Sequence, residues 1–238
     1  MVVVHNGVVV DVELSSDLAG TGVVFGPAGE GDADALGAAI DQPLDAFTSL
    51  NDAFAATPAV LTVPRSTTVE LPFALVSFTD RDGVATFPRL SVVAGENSSV
   101  SVLEVSLSTD VEALVVPVTE LAVGNAARVQ HSSLQDVGPR VWQIGSLVAT
   151  VGQDATLRSS SAALGGDYAR LRTDCRLVGR GAHGALSSVY FGDGDQMLDL
   201  RTFQEHRAPD TTSNLLFKGA VADRSHSVYT GLIRIKPE

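Results

Sequence analysis

From Gly95 onward the chain repeats itself about every 29 residues. The copies open with Gly95-Glu-Asn-Ser-Ser-Val100, Gly124-Asn-Ala-Ala-Arg-Val129, Gly152-Gln-Asp-Ala-Thr-Leu157 and Gly181-Ala-His-Gly-Ala-Leu186, and a degenerate fifth reads Asp210-Thr-Thr-Ser-Asn-Leu215. Their starts are spaced by 29, 28, 29 and 29 residues. A fixed period of this length marks a stacked architecture, in which no unit can bury its apolar face except against its neighbours. Each copy enters a run of alternating or short-burst apolar residues, such as Val100 to Leu107 or Val141-Trp-Gln-Ile144, and no 3.6-residue stripe persists beyond residue 95. Two short strands and two bends fill one such period. Coils stacked at the interstrand distance of about 4.8 Å then make a parallel β-helix over roughly residues 60–235. A left-handed hexapeptide helix needs its hexad three times per coil, whereas Val123-Gly-Asn-Ala-Ala-Arg occurs once per period. Val100, Val129, Leu157, Leu186 and Leu215, each five residues after a repeat start, are expected to stack inward at equivalent positions.

Residues 1–58 form a different unit, an α/β cap ahead of a core at 59–238. Val2 to His5 and Val8 to Val12 flank Asn6-Gly7, a strong signal for a type I′ hairpin. Between Asp41 and Ala56, helical spacing puts Leu44, Phe47, Leu50 and Phe54 on one face, with Pro43 near the first turn. The segment is expected to cover an open end of the solenoid, where backbone groups lack neighbours. Ala59 to Val63 and Val69 to Phe78 begin the strand-rich region, with a turn at Asp80-Arg-Asp-Gly83. At the other end the sequence closes on Lys236-Pro-Glu238, just after the strand Gly231-Leu-Ile-Arg-Ile235, and a bare coil there suggests a natural polypeptide that continues.

Apolar residues make up 45% of the 238, ample for one continuous core. Apolar stretches break within about six residues, too soon to span a bilayer, and Met1-Val-Val-Val-His-Asn-Gly lacks the basic start of a signal peptide. The single cysteine, Cys175, excludes an internal disulfide framework and fits a reducing cytoplasm. A net charge of −12 disfavours nucleic-acid binding, which depends on neutralising phosphates. That charge is uneven: residues 1–64 carry nine acids and no Lys or Arg, whereas 201–236 carry six basic residues against three acids.

Little in the chain carries chemistry. There is no nucleophile elbow, P-loop, dinucleotide fingerprint or paired CxxC. Asp193, Asp195 and Asp199 near Gln196 would suit a β-helical polysaccharide-cleaving enzyme, but such sites need two positioned carboxyls and aromatic platforms, and only 5% of the residues are aromatic. The simpler reading of Phe191-Gly-Asp-Gly-Asp195 is a loop between strands. Asp174-Cys175 and His183 could meet across adjacent strands around iron, although a lone thiol more commonly packs as a small apolar side chain.

The stretch from Gln196 to Ile235 is the informative one: Asp199-Leu-Arg-Thr-Phe-Gln-Glu-His206, then Ala208-Pro-Asp-Thr-Thr-Ser-Asn-Leu-Leu-Phe-Lys-Gly219, then Ser227-Val-Tyr-Thr-Gly-Leu-Ile-Arg-Ile235. It closely resembles the SufB/SufD family of iron–sulfur cluster assembly scaffolds, and within it the SufD branch. Val60-Leu-Thr-Val-Pro64, Glu70-Leu-Pro72, Phe87-Pro-Arg89 and Val141-Trp142 follow in that family's order. The resemblance implies a right-handed parallel β-helix and a scaffold rather than an enzyme. It implies pairing with a SufB-like subunit, a SufC-like ATPase bound through a helical domain, and a transient Fe–S cluster in the full complex with no metal or cofactor held by the isolated chain. His206 and Lys218 fall on family motif positions, the lysine being one that in SufB lines an interior sulfur route. The Cys-x-His-Gly element and the helical domains of SufD proteins have no counterpart here, and Cys175 matches no family cluster ligand. The SufB-like alternative, a sulfur-accepting scaffold, is weaker because no acceptor cysteine is evident. The last coil should present an unpaired edge, with Tyr229, Leu232, Ile233 and Ile235 facing a partner or a second copy of the chain.

Overall fold

The computed structural model describes residues 1–236, so Pro237 and Glu238, on which the sequence closes, lie outside the described residues. The chain opens with β1 (Val2–His5), β2 (Val8–Val12) and β3 (Val24–Pro27), then one helix, α1 (Ala46–Phe54). The coils follow as β4 (Ala59–Val63), β5 (Phe73–Thr79), β6 (Val84–Thr86), β7 (Arg89–Ala94), β8 (Ser99–Ser108), β9 (Ala113–Val115), β10 (Val118–Val123), β11 (Arg128–Asp136), β12 (Val141–Val151) and β13 (Thr156–Ala163). β14 (Tyr168–Leu177), β15 (His183–Gly192), β16 (Met197–His206), β17 (Thr212–Val221) and β18 (His226–Ile235) complete them. Two sheets result, A in the order β17-β15-β13-β11-β8-β5-β1-β2 and B in the order β18-β16-β14-β12-β10-β7-β4-β3. Every pairing between coils is parallel, and each coil gives one long strand to A and one to B. This is the parallel β-solenoid that the 29-residue period requires. Among the described residues no helix is long and apolar enough to cross a membrane.

The turns that start each repeat explain the period. Asn97, Ala126, Asp154, Gly181 and Asp210 all have φ between 54° and 71°, a row of left-handed residues, one per coil. Two residues before the first four, at Gly95, Gly124, Gly152 and Gly179, the backbone grazes the turn of the coil beneath; a Cβ on Gly179 would sit 2.0 Å from Gln153 N, so only glycine fits there, whereas the fifth turn has Ala208 at this place. The fourth repeat therefore starts at Gly179 and not, as its sequence suggests, at Gly181. The register follows: Val100 pairs with Val129 and Val129 with Leu157, but Leu157 faces Gly184, while Leu186 stacks between Ser159 and Leu215. A two-residue slip keeps a strand's faces, so Leu186 still points inward, at 3% exposure. Leu215 shares that row but is 38% exposed, because β17 is the last strand of sheet A among the described residues.

The hairpin forms as expected, with Asn6 at φ 49° and Gly7 at φ 84°, the two positive values of a type I′ turn. β2 and β3 pair antiparallel and so end the two sheets at their first coils. The rest of the N-terminal segment does not cap an end. It lies along the outer face of sheet B, where Ala39 and Ile40 pack on Val118 and Val148. The buried Glu120 carboxylate accepts the backbone N–H groups of Gly37, Ala39 and Ile40 and the guanidinium of Arg89. Arg170 and Arg176 reach Asp45 and Asp41 of the same segment. Here the nine unbalanced acids of residues 1–64 find some of their counter-charges.

Helix α1 also turns a different face inward from the one its apolar spacing suggests. Thr48 and Asn51 are buried, whereas Leu50 and Phe54 are exposed. Thr48 and Asp45 form a capping box, and Asn51 Nδ2 donates to the carbonyls of Pro88 and Val116 at 2.9 and 2.8 Å. Satisfying those buried carbonyls outweighs burying the leucine and phenylalanine.

Candidate functional site

Inside the solenoid, alternation along each strand decides what faces the lumen. Near the repeat turns the inward rows are apolar, as at Val100, Val129 and Leu157 against Leu121, Val123, Ala149 and Val151. Farther along β8, β11 and β13 they become polar. Glu104 pairs in register with Ser133 and Ser133 with Ser161, beside the row Val102, His131, Ser159. His131 Nε2 lies 2.7 Å from Glu104 Oε1, His131 Nδ1 lies 3.0 Å from Ser159 Oγ, and Thr119 of the opposite sheet donates to both Glu104 oxygens at 2.8 and 3.0 Å. A cavity of about 80 Å³ adjoins this cluster, lined by Glu104, Thr119, His131, Ser133 and Gln143 among others. The polar character continues toward the last coil through Ser161 to Ser188 at 2.8 Å and Thr202 to Tyr229 at 2.7 Å. A buried polar lumen is stable only when fully hydrogen-bonded. The sequence signal for it was present, since His131 stands seven residues after Gly124 where Val102 stands seven after Gly95.

The residues singled out from the sequence do not form one centre. His206 ends β16 on the lumen side, and both ring nitrogens are engaged, with Thr211 Oγ1 at 2.7 Å and Ser213 Oγ at 3.0 Å. Lys218 lies on β17 between the inward Phe217 and Gly219 positions, so it is exposed on the outer face of sheet A, beside Val189. Cys175 is fully buried, and burial, then the neighbouring Asp174 charge, pushes its thiol up to about 12. His183 sits on the outward side of β15, hydrogen-bonded to Thr212, so it and Cys175 do not meet. Among the described residues no three His, Cys, Asp or Glu side chains gather to hold a metal ion. Asp193, Asp195 and Asp199 are likewise apart in role. Asp195 pairs with Arg224, which holds its carboxyl below the usual range. Asp199 is buried against Arg201 and the Tyr168 hydroxyl, and Asp193 closes a turn with Gln196.

The open end is the second feature. Among the described residues β17 pairs only with β15 and β18 only with β16, so each leaves one edge without a partner there. Tyr229, Leu232, Ile233 and Ile235 are 42–75% exposed, and Leu215, Leu216 and Val228 beside them are exposed as well. Tyr229 and Ile233 stand on the inward-facing rows above Leu200 and Gln204, so they would lie inside the lumen if another coil followed.

Residues 77–238 match the model of the SUF system FeS cluster assembly SufBD core domain. A Mycobacterium tuberculosis iron–sulfur cluster assembly SufBD family protein is 29% identical over 200 residues, covering 81% of this chain and 48% of the relative. The Staphylococcus saprophyticus protein of the same family is 24% identical over 189 residues, covering 79% of this chain and 41% of the relative. The chain thus spans less than half the length of these curated relatives. With the family model covering most of the solenoid, the chain belongs to the SufBD family of iron–sulfur cluster assembly proteins.

Proposed function

We propose that this chain is the β-solenoid core of a SufD-like scaffold subunit in SUF-type iron–sulfur cluster assembly, acting in the cytoplasm. It has no catalytic activity of its own and holds no cluster by itself. It pairs with a SufB-like subunit through the last coil, and in the full-length protein a SufC-like ATPase binds elsewhere. The observation that carries this reading is the last described coil, where two strand edges without a partner among the described residues meet a cluster of large exposed apolar side chains. Such an edge is a template for strand addition by another chain. The thiol of Cys175, buried and held in its protonated form, supports the SufD-like over the sulfur-accepting reading, since the thiolate is the nucleophile. The test is size-exclusion chromatography of the chain mixed with the SufB-like subunit of its own organism, beside the double variant Tyr229→Asp, Leu232→Asp. A complex with wild type that the double variant fails to form is expected. Equal complex formation by both, or none by wild type, sinks the pairing, and ATP hydrolysis or a stoichiometric cluster on the chain alone sinks the scaffold role.

A further inference from the structure

One corner of the solenoid differs from the rest of its surface in both charge and chemistry. The loops 80–83, 109–112, 136–140, 164–167, 193–196 and 222–225 stack on one another where each coil passes from sheet A to sheet B, as the bonds Gly83 N to Glu112 O, Gly166 N to Val137 O and Arg224 N to Gly194 O show. These loops hold nine carboxylates against three arginines. Two of the arginines are already engaged, Arg140 with Asp110 at 2.9 Å and Arg224 with Asp195 at 2.7 Å. The corner therefore carries half of the chain's net charge of −12.

Beside this acidic rim runs an apolar ladder on the outer face of sheet B. Leu114 pairs in register with Trp142, Trp142 with Tyr168, and Tyr168 with Met197. Trp142 is 51% exposed although it is the sole tryptophan of the protein. Its indole is fixed in place, with Nε1 donating to Asp167 Oδ2 at 2.7 Å and the Tyr168 ring centroid 5.5 Å away. A groove of about 650 Å³ runs between the ladder and the loops, bounded by Val84, Glu112, Leu114, Arg140, Trp142 and Asp167.

We propose that this groove docks a basic, extended segment of a partner protein, with an arginine or lysine stacked on Trp142. Charge complementarity selects the occupant. A cation over an indole is favoured by the ring quadrupole, and here the flanking Glu112 and Asp167 carboxylates reinforce it while Val84 and Leu114 take the segment's apolar side chains. Tryptophan is also the side chain over-represented among interface anchors, above all when its neighbours hold it rigid. The acidic rim would steer a basic segment and repel an acidic one, with a dependence on salt. The groove itself lies on β9, β12 and the loops beside them, whereas the acidic rim runs on to loop 222–225 of the last coil.

Because Trp142 is the only tryptophan, its emission reports directly on this groove. The probe is a fluorescein-labelled decapeptide of alternating arginine and leucine, with a glutamate–leucine decapeptide and a cello-oligosaccharide as controls. The arginine peptide is expected to bind saturably, to shift Trp142 emission and to weaken as salt rises, while both controls leave the emission unchanged. Polarisation should show at least about a tenfold loss of affinity in Trp142→Ala and in Glu112→Lys, with Glu96→Lys on the opposite corner binding as wild type. Circular dichroism melts confirm that each variant is folded. No saturable binding by the arginine peptide, equal affinity for wild type and Trp142→Ala, or equal weakening by Glu96→Lys overturns the proposal. An emission shift with the oligosaccharide alone reassigns the groove to carbohydrate and overturns it equally.

Discussion

His131 and Glu104 face each other at 2.7 Å inside the solenoid, on neighbouring coils, with Thr119 reaching across from the opposite sheet to the same carboxylate. His131 is 1% exposed, so the pair has little water to replace a lost partner. Glu104→Ala would leave His131 Nε2 and Thr119 Oγ1 without acceptors, at about 1–3 kcal/mol for each buried group orphaned. Glu104→Gln keeps an oxygen toward His131 and should recover much of the loss. Urea titration measures both. A midpoint unchanged in Glu104→Ala would mean that the cluster contributes nothing to stability.

Ala126 occupies the left-handed position of its turn at φ 56°, where the equivalent residues are Asn97, Asp154, Gly181 and Asp210. Those types tolerate the conformation, whereas a Cβ with no local hydrogen bond costs roughly 1–2 kcal/mol there. Ala126→Gly and Ala126→Asn should therefore stabilise the protein, by about 0.5–1 kcal/mol after glycine's greater unfolded-state entropy is counted. Thermal melts that place both variants below wild type would contradict this account of the turn.

The architecture was legible because the period is a backbone property. Each coil must return to the same place, so Gly95, Gly124 and Gly152 recur where the turns approach one another closely. The fourth copy misled because Gly179 and Gly181 are both glycines, one demanded by crowding and the other by its φ of 71°, and the start was set at the second. The lumen was harder to read: whether an inward row is apolar or polar depends on contacts between residues about 15 to 28 apart, such as Thr119 with Glu104 and His131 with Ser159. Helix α1 was misread for a related reason. Its buried Asn51 answers carbonyls at Pro88 and Val116, which no local pattern of apolar spacing can announce.

Cys175 gives a pH signature. Its thiol is pushed from an ordinary 9.0 up to about 12 by burial. Between those values the folded state keeps a proton that the unfolded chain has lost, so this residue's contribution is full below about pH 9 and is lost as pH rises toward 12. Cys175→Ala should lose less stability than wild type between pH 8 and about 10.5, before other groups dominate. The same burial should keep the native thiol inert to a disulfide-exchange reagent, with reaction only after unfolding. Rapid labelling of the native protein at pH 7.5 would show the thiol to be accessible and remove the basis for the pH effect.

The unpaired edge of β18 yields the last prediction. His226 N donates to Gln196 O and Lys236 N to His206 O, which fixes the alternation of the parallel ladder: even-numbered amides bond to β16 and odd-numbered ones point away. Ile233 thus offers an N–H with no partner among the described residues, at an edge beside its own 61%-exposed side chain. Ile233→Pro removes that donor without breaking a bond to β16, so the fold should survive while strand addition is blocked. The chain alone, lacking any heterologous partner, is expected to associate with itself through this edge at high concentration. Sedimentation equilibrium should then give a concentration-dependent mass for wild type and a monomer for Ile233→Pro. Salt should alter the wild-type association only modestly, because the contacts are backbone hydrogen bonds and apolar side chains rather than exposed charges. If wild type remains monomeric at the highest concentration, this edge does not recruit a second copy. If both associate equally, the contact lies elsewhere on the solenoid.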